Sequence, residues 1–204
     1  MNQLEKFQEI ETFIFDVDGV LTDGQVLVLE DGKLLRRMSL RDGYAIKLAV
    51  KEGYNVCVIT GSNSEGVKLR LEGLGVEHVY IGVEDKLRVF EKYIRDNDID
   101  EGTILYMGDD LPDYAVMRRV GFPTCPCDAA HEMFELAKYV SPYKGGEGCV
   151  RDVIEKVLRL NGQWVVQFAD GRSDNMKAAA FRRHLLEHHN VEVRSSATSG
   201  RWSA

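Results

Sequence analysis

The chain has no apolar run near the ~20 residues a membrane-spanning helix needs. Its opening, MNQLEKFQEIE, lacks the apolar core of a secretory leader. Both absences point to the cytoplasm. A positive charge balance is missing too: 26 Lys and Arg stand against 33 Asp and Glu, for a formal charge of −7. That argues against non-specific binding to nucleic acid or to an anionic membrane. An anionic substrate must therefore be met by locally placed cations. Cysteines number four. Cys57 lies in an apolar run, and Cys125-Pro-Cys127 has neither zinc-knuckle spacing nor a second pair nearby. With Cys149, they read as reduced structural thiols. There are no internal repeats.

What is present is a chain of 204 residues, 44% hydrophobic, long enough for one sizeable domain. Buried strands are expected at Thr12–Phe15, Asn55–Thr60, His78–Ile81 and Thr103–Met107, with shorter ones at Gly121–Cys125 and Tyr139–Val140. Amphipathic helices are expected between them at Gly43–Glu52, Glu65–Leu74, Lys86–Asn97 and Leu111–Val120, and a last one at Glu147–Leu160. Alternation of strand and helix implies an α/β fold: a Rossmann-like, three-layer parallel sheet with helices on both faces.

One segment breaks the rhythm. Gln25–Leu29 and Lys33–Met38 flank Glu30-Asp31-Gly32 and read as a hairpin flap inserted straight after strand one. An isolated two-stranded ribbon is marginal in water, so its apolar run Val26–Leu29 wants cover from another subunit. No cap domain is expected. Residues 1–162 read as the domain proper and 163–204 as an extension. There Trp164–Phe168 suggests a strand, Asn175–His189 a helix, and Ser195–Ala204 a flexible end. His184, His188 and His189 read as an exposed polar patch, with no convergent acids to make them a metal site.

The chemistry sits at strand ends, where open α/β sheets bind ligands. Strand one runs into Asp16-Val17-Asp18, strand two into Thr60-Gly61-Ser62, strand three is followed by Asp85-Lys86, and strand four ends in Gly108-Asp109-Asp110 with Asp113 a turn on. Two carboxylates ending a buried strand repel unless a cation joins them. Asp16, Asp18 and Asp109 suit a hard divalent ion with oxygen ligands, Mg²⁺ above all. Thr60 offers a hydroxyl and Lys86 a charge to phosphoryl oxygens. Asp16 is the natural nucleophile, and Asp18, two residues on, the acid and then base.

These motifs resemble the haloacid dehalogenase superfamily of phosphatases: DVDGVLTDG its first motif, VITG its second, Lys86 its third and GDDLPD its fourth. Within it the chain is most similar to the capless group that removes phosphate from 3-deoxy-D-manno-octulosonate 8-phosphate. LRDGYAIKLA, GVEDK and GGEGCVRDVIEKVL carry that likeness, over about residues 10 to 160. The resemblance implies a Mg²⁺-dependent sugar-acid phosphatase that assembles as a homotetramer, its hairpins gathered in a central barrel. Asp18 would ligate the metal through its backbone carbonyl, and Asp110 and Asp113 would support the metal shell. Substrate contacts would come from Asp18, Ser39, Leu40, Arg41, Asp42, Gly43, Lys47, Gly61, Ser62, Arg70 and Lys86, with Arg151 reaching in from a neighbouring tail. The chain departs from the group at Ser62 and Lys47, where arginine is typical. A branch acting on nine-carbon, sialic-acid-like 9-phosphates carries glutamate at the Ser62 position. A further relative, fused to acylneuraminate cytidylyltransferases, serves assembly in some cases. Both remain as alternatives.

Overall fold

The computed structural model describes residues 3–167 and 173–175. The helix expected at 175–189, the histidines within it and the end 195–204 lie outside these residues, except that Asn175 closes a strand.

Six parallel strands form the sheet. β1 (Thr12–Phe15) is central; β2 (Leu27–Val28) and β3 (Leu34–Leu35) form the inserted hairpin; β4 (Asn55–Ile59), β5 (His78–Tyr80), β6 (Ile104–Met107), β7 (Phe122–Cys125) and β8 (Tyr139–Val140) complete the set. The order β5-β4-β1-β6-β7-β8 places β1 between β4 and β6, with Phe15 level with Val58 and Met107. The strand expectations stand, and all six strands are parallel.

Alternation along each strand divides the core. Phe13, Phe15, Val58, Leu105 and Met107 face α1 (Gln3–Gln8), α2 (Leu40–Lys51), α3 (Glu65–Glu72) and α7 (Cys149–Leu160). Ile14, Cys57, Ile59 and Tyr106 face α4 (Lys86–Asp96), α5 (Tyr114–Met117) and α6 (His131–Leu136). Fully burying one such apolar side chain contributes about 1.5–3 kcal/mol. The four cysteines are free, and Cys57, Cys125 and Cys149 are buried.

Local chemistry moves several boundaries. α2 starts at Leu40, three residues before the expected Gly43, because the Ser39 hydroxyl accepts from the Asp42 amide at 3.3 Å. The helix expected at 111–120 is a 3₁₀ turn at Leu111–Asp113 and then the single turn of α5. Pro112 and the Asp110 side chain, which accepts from the Leu111 amide at 2.8 Å, favour the tighter start. α7 begins at Cys149 and not at Glu147, because Gly146 and Gly148 adopt positive φ (67° and 115°). The hairpin pairs only two residues on each leg.

The extension starts anchored. Trp164 is buried against the α2–α7 side, with the guanidinium carbons of Arg151 and Arg159 5.2 Å and 5.6 Å from its ring centre. β9 (Val165–Gln167) then pairs antiparallel with β10 (Ser173–Asn175), which accommodates the short strand expected after Trp164.

The loop leading into α7 walls the chain that follows β1. A Cβ on Gly145 would stand 2.0 Å from the Gly19 carbonyl oxygen and 2.8 Å from that of Thr22. Only hydrogen fits. Gly145→Ala should therefore displace the 19–22 turn and cost about 1–3 kcal/mol, read as a lower urea midpoint with an unchanged slope. An unaltered midpoint would mean that the two loops separate freely.

Candidate active site

Asp16 follows β1 directly, and its amide continues the ladder to the Met107 carbonyl at 3.1 Å. The backbone is thus fixed by the sheet and the carboxylate emerges, buried, at its carboxyl edge. Lys86 opens α4, which Asp85 caps by accepting from the Arg88 amide at 3.1 Å. Its ammonium reaches Asp16 Oδ1 at 2.9 Å and Asp113 Oδ1 at 2.7 Å. Both Asp113 oxygens are engaged: the Tyr106 hydroxyl donates to Oδ1 at 2.5 Å and the Asp109 amide to Oδ2 at 3.2 Å. Asp109 lies over Gly19, where a Cβ would stand 2.0 Å from its Oδ2; with φ at +89°, position 19 admits glycine alone.

Asp16, Asp109 and Asp113 each offer an oxygen within 4.8 Å of the others. Burial, then the charge of Asp113, raises the Asp16 pKa to about 6 against the pull of Lys86. Burial, then Asp16 and Asp113, pushes Asp109 to about 8. Burial alone would lower Lys86, but Asp16 and Asp113 together raise it. Asp16 Oδ1 is buried, and its compensation is the Lys86 ammonium at 2.9 Å. Three crowded carboxylates against a single ammonium fit a hard divalent cation.

The other expected residues are more spread. The Asp18 side chain turns out of the acid group to Arg36, while Asp113, expected only as support, supplies the group's third oxygen. Asp110 caps the 3₁₀ turn. Thr60 is buried one residue past β4, its Oγ1 accepting from the Ser62 amide at 3.1 Å; Gly61 is exposed and Ser62 half-buried. The Arg70 guanidinium sits at the start of α2, 2.8 Å from where a Cβ on Gly43 would be. Arg41 and Lys47 are exposed on the same helix, and Leu40 is 78% exposed.

Asp42 differs from its neighbours. It is buried, and one oxygen accepts from the Arg151 amide at 2.7 Å, capping α7 from α2. Burial raises its pKa. Arg151 itself lies in α7 and pairs with Glu155 at 2.9 Å.

Tyr106 and Arg36 were not singled out from the sequence. The signal for Tyr106 is strand alternation, which turns a hydroxyl away from the Leu105 and Met107 face. For Arg36 it is an arginine pair on the return leg of a flap beside an acidic motif.

A parallel Rossmann-like sheet that gathers three aspartates and a lysine at its carboxyl edge defines the haloacid dehalogenase class of phosphoric monoester hydrolases. A comparison with models of protein families matches none. The 3-deoxy-D-manno-octulosonate 8-phosphate phosphatase KdsC of Escherichia coli K12 is 36% identical over 160 residues, 78% of this chain and 85% of that protein. The crystal structure of the corresponding phosphatase from Yersinia pestis superposes with a TM-score of 0.74 at 34% identity, covering 76% of this chain and 84% of that one. The Moraxella catarrhalis phosphatase, solved in complex with magnesium ion, phosphate ion and KDO, gives 0.74 at 31% identity, covering 76% and 90%. The chain belongs to the KdsC family of haloacid dehalogenase superfamily phosphatases.

The raised Asp109 fixes a proton balance. In the unfolded chain its pKa is near 3.8; in the folded, metal-free protein it is about 8. The stabilisation from this group is complete below about pH 4 and is lost as pH rises through 8. A divalent cation needs the carboxylate form. Mg²⁺ binding at pH 7 should therefore release about one proton, read from calorimetric heats in buffers of different ionisation enthalpy. Heats independent of the buffer would refute the assignment.

Proposed function

We propose that the protein hydrolyses a phosphorylated sugar acid, 3-deoxy-D-manno-octulosonate 8-phosphate by first choice, with residues 1–162 as the catalytic domain. The observation that carries this reading is the Lys86 ammonium between Asp16 and Asp113, at 2.9 Å and 2.7 Å, beside Asp109. The relatives' substrate and the magnesium and phosphate of the Moraxella structure support it.

The Asp16 carboxylate attacks phosphorus and the bond to the sugar oxygen breaks, leaving an aspartyl phosphate. Asp18 hands its proton to the departing oxygen, then takes one from the water that attacks phosphorus and frees Asp16. Thr60 and Lys86 hold the phosphoryl oxygens. Asp16, the Asp18 carbonyl and Asp109 would hold Mg²⁺, with Asp110 and Asp113 behind. Bound there, the ion neutralises charge on the phosphoryl oxygens. Asp113 directs its neighbours, since both its oxygens are engaged.

Beyond the phosphate, Ser39, Leu40, Arg41, Gly43, Lys47, Gly61, Ser62 and Arg70 frame the sugar acid. Arg41, Lys47 and Arg70 supply the local cations that a chain of charge −7 needs. Asp42 contributes by holding α2 to α7. Ser62, with no charge to offer, keeps the nine-carbon substrate in competition. The hairpin presents Leu27 (62% exposed), Val28 (65%), Leu34 and Leu35, an apolar surface that four copies would cover. Among the described residues no helix is long and apolar enough to cross a membrane, and the proposed location is the cytoplasm.

Three measurements test this. Asp16→Asn should abolish Mg²⁺-dependent phosphate release, and Asp18→Asn should lower it about 10²–10⁴-fold. Parallel assays with eight- and nine-carbon acid phosphates decide the substrate; a preference for neutral hexose phosphates would overturn the sugar-acid reading. Val28→Asp should split the assembly into smaller species by light scattering, and an unchanged mass would remove the hairpin from the interface.

A further inference from the structure

The return leg of the hairpin carries a contact that the acid group leaves unexplained. Arg36 and Arg37 follow β3 and point opposite ways. Arg37 is 81% exposed and meets Asp23 at 2.8 Å, a surface pair of little energetic weight. The Arg36 side chain is only 9% exposed and turns inward to Asp18. Its Nε donates to Oδ1 at 2.7 Å and its Nη2 to Oδ2 at 3.2 Å. A two-point fork fixes the plane of a carboxylate as well as its position.

Two further contacts tie down the base of the insert around this fork. Thr22 and Met38 form a bridge across the base of the insert. The Thr22 hydroxyl also lies 3.4 Å from Asp18 Oδ1, a far weaker tie than the fork. Asp18 is thus held chiefly by a side chain of the hairpin, whereas Asp16 and Asp113 are held by Lys86 from the sheet side. Asp18 Oδ2 accepts from Arg36 alone and keeps a second lone pair, so the fork orients Asp18 without using it up.

We propose that Arg36 is a positioning residue for the acid step of Asp18: seated by the hairpin, it aims the carboxyl at the departing oxygen that takes its proton. This rests on the acid–base role of Asp18 in the proposed function. The hairpin thereby becomes part of the proton-transfer apparatus, because the seat of β3 sets the direction of the acid.

Leaving groups provide the test. A sugar alcohol departs poorly unless protonated; 4-nitrophenolate departs without help. Arg36→Ala should lower kcat on the octulosonate 8-phosphate about ten-fold or more, yet on 4-nitrophenyl phosphate less than about three-fold. Asp18→Asn should lower turnover of both substrates, because the attack of water on the aspartyl phosphate, common to both, also needs this carboxyl. Arg36→Lys, which keeps the charge but loses the fork, should recover part of the loss, and it carries the test if the alanine variant does not fold. Equal losses on both substrates in the Arg36 variants, or a change confined to KM, would overturn the proposal alone. A parent protein inactive on both substrates would overturn the phosphatase reading and the proposal together.

Discussion

One buried cation organises this molecule. The Lys86 ammonium lies between Asp16 and Asp113, at the meeting of β1, the start of α4 and the turn after β6. Removing one partner of such a buried pair costs about 3–5 kcal/mol, because the remaining charge is stranded. Three acids against one lysine leave negative charge in surplus, and burial first, then this surplus, raises the pKa values of Asp16 and Asp109. The same surplus makes the site receptive to a divalent ion. Stability without ligand and affinity for metal thus pull on the same carboxylates in opposite directions.

Much of this was legible because it is local. An apolar run ending flush in Asp16-Val17-Asp18 marks both a buried strand and the place where the sheet delivers its acids. Lys86 behind a capping Asp85, and Asp109 at the end of β6, follow the same rule. The sheet order puts β4, β1 and β6 side by side, so residues written far apart converge. Strand alternation and a parallel topology were enough to foresee this.

The illegible part is what the chain closes over distance. The Arg36–Asp18 fork spans 18 positions and the Asp42 cap of α7 spans 109. Neither has a local pattern: one is a charged residue in a hairpin, the other an acid in a first helical turn, which ordinarily serves its own helix. Asp42 was expected among the substrate contacts; its burial and its bond to the Arg151 amide give it a structural task as well. The split of the expected 111–120 helix has a local cause in Pro112 and Asp110, but its purpose, bringing Asp113 under Lys86, shows only in three dimensions.

The close packing of Gly145 on Gly19 carries a consequence for synthesis. β1 leaves the ribosome early, yet its neighbour β6, the acid at 109 and the glycine wall are all made later, and α7 follows that wall. The nascent chain therefore holds its reactive aspartates in an unfinished pocket until most of the domain has emerged. The centre cannot close one piece at a time; it matures near the end of translation of this domain, when the last helix docks.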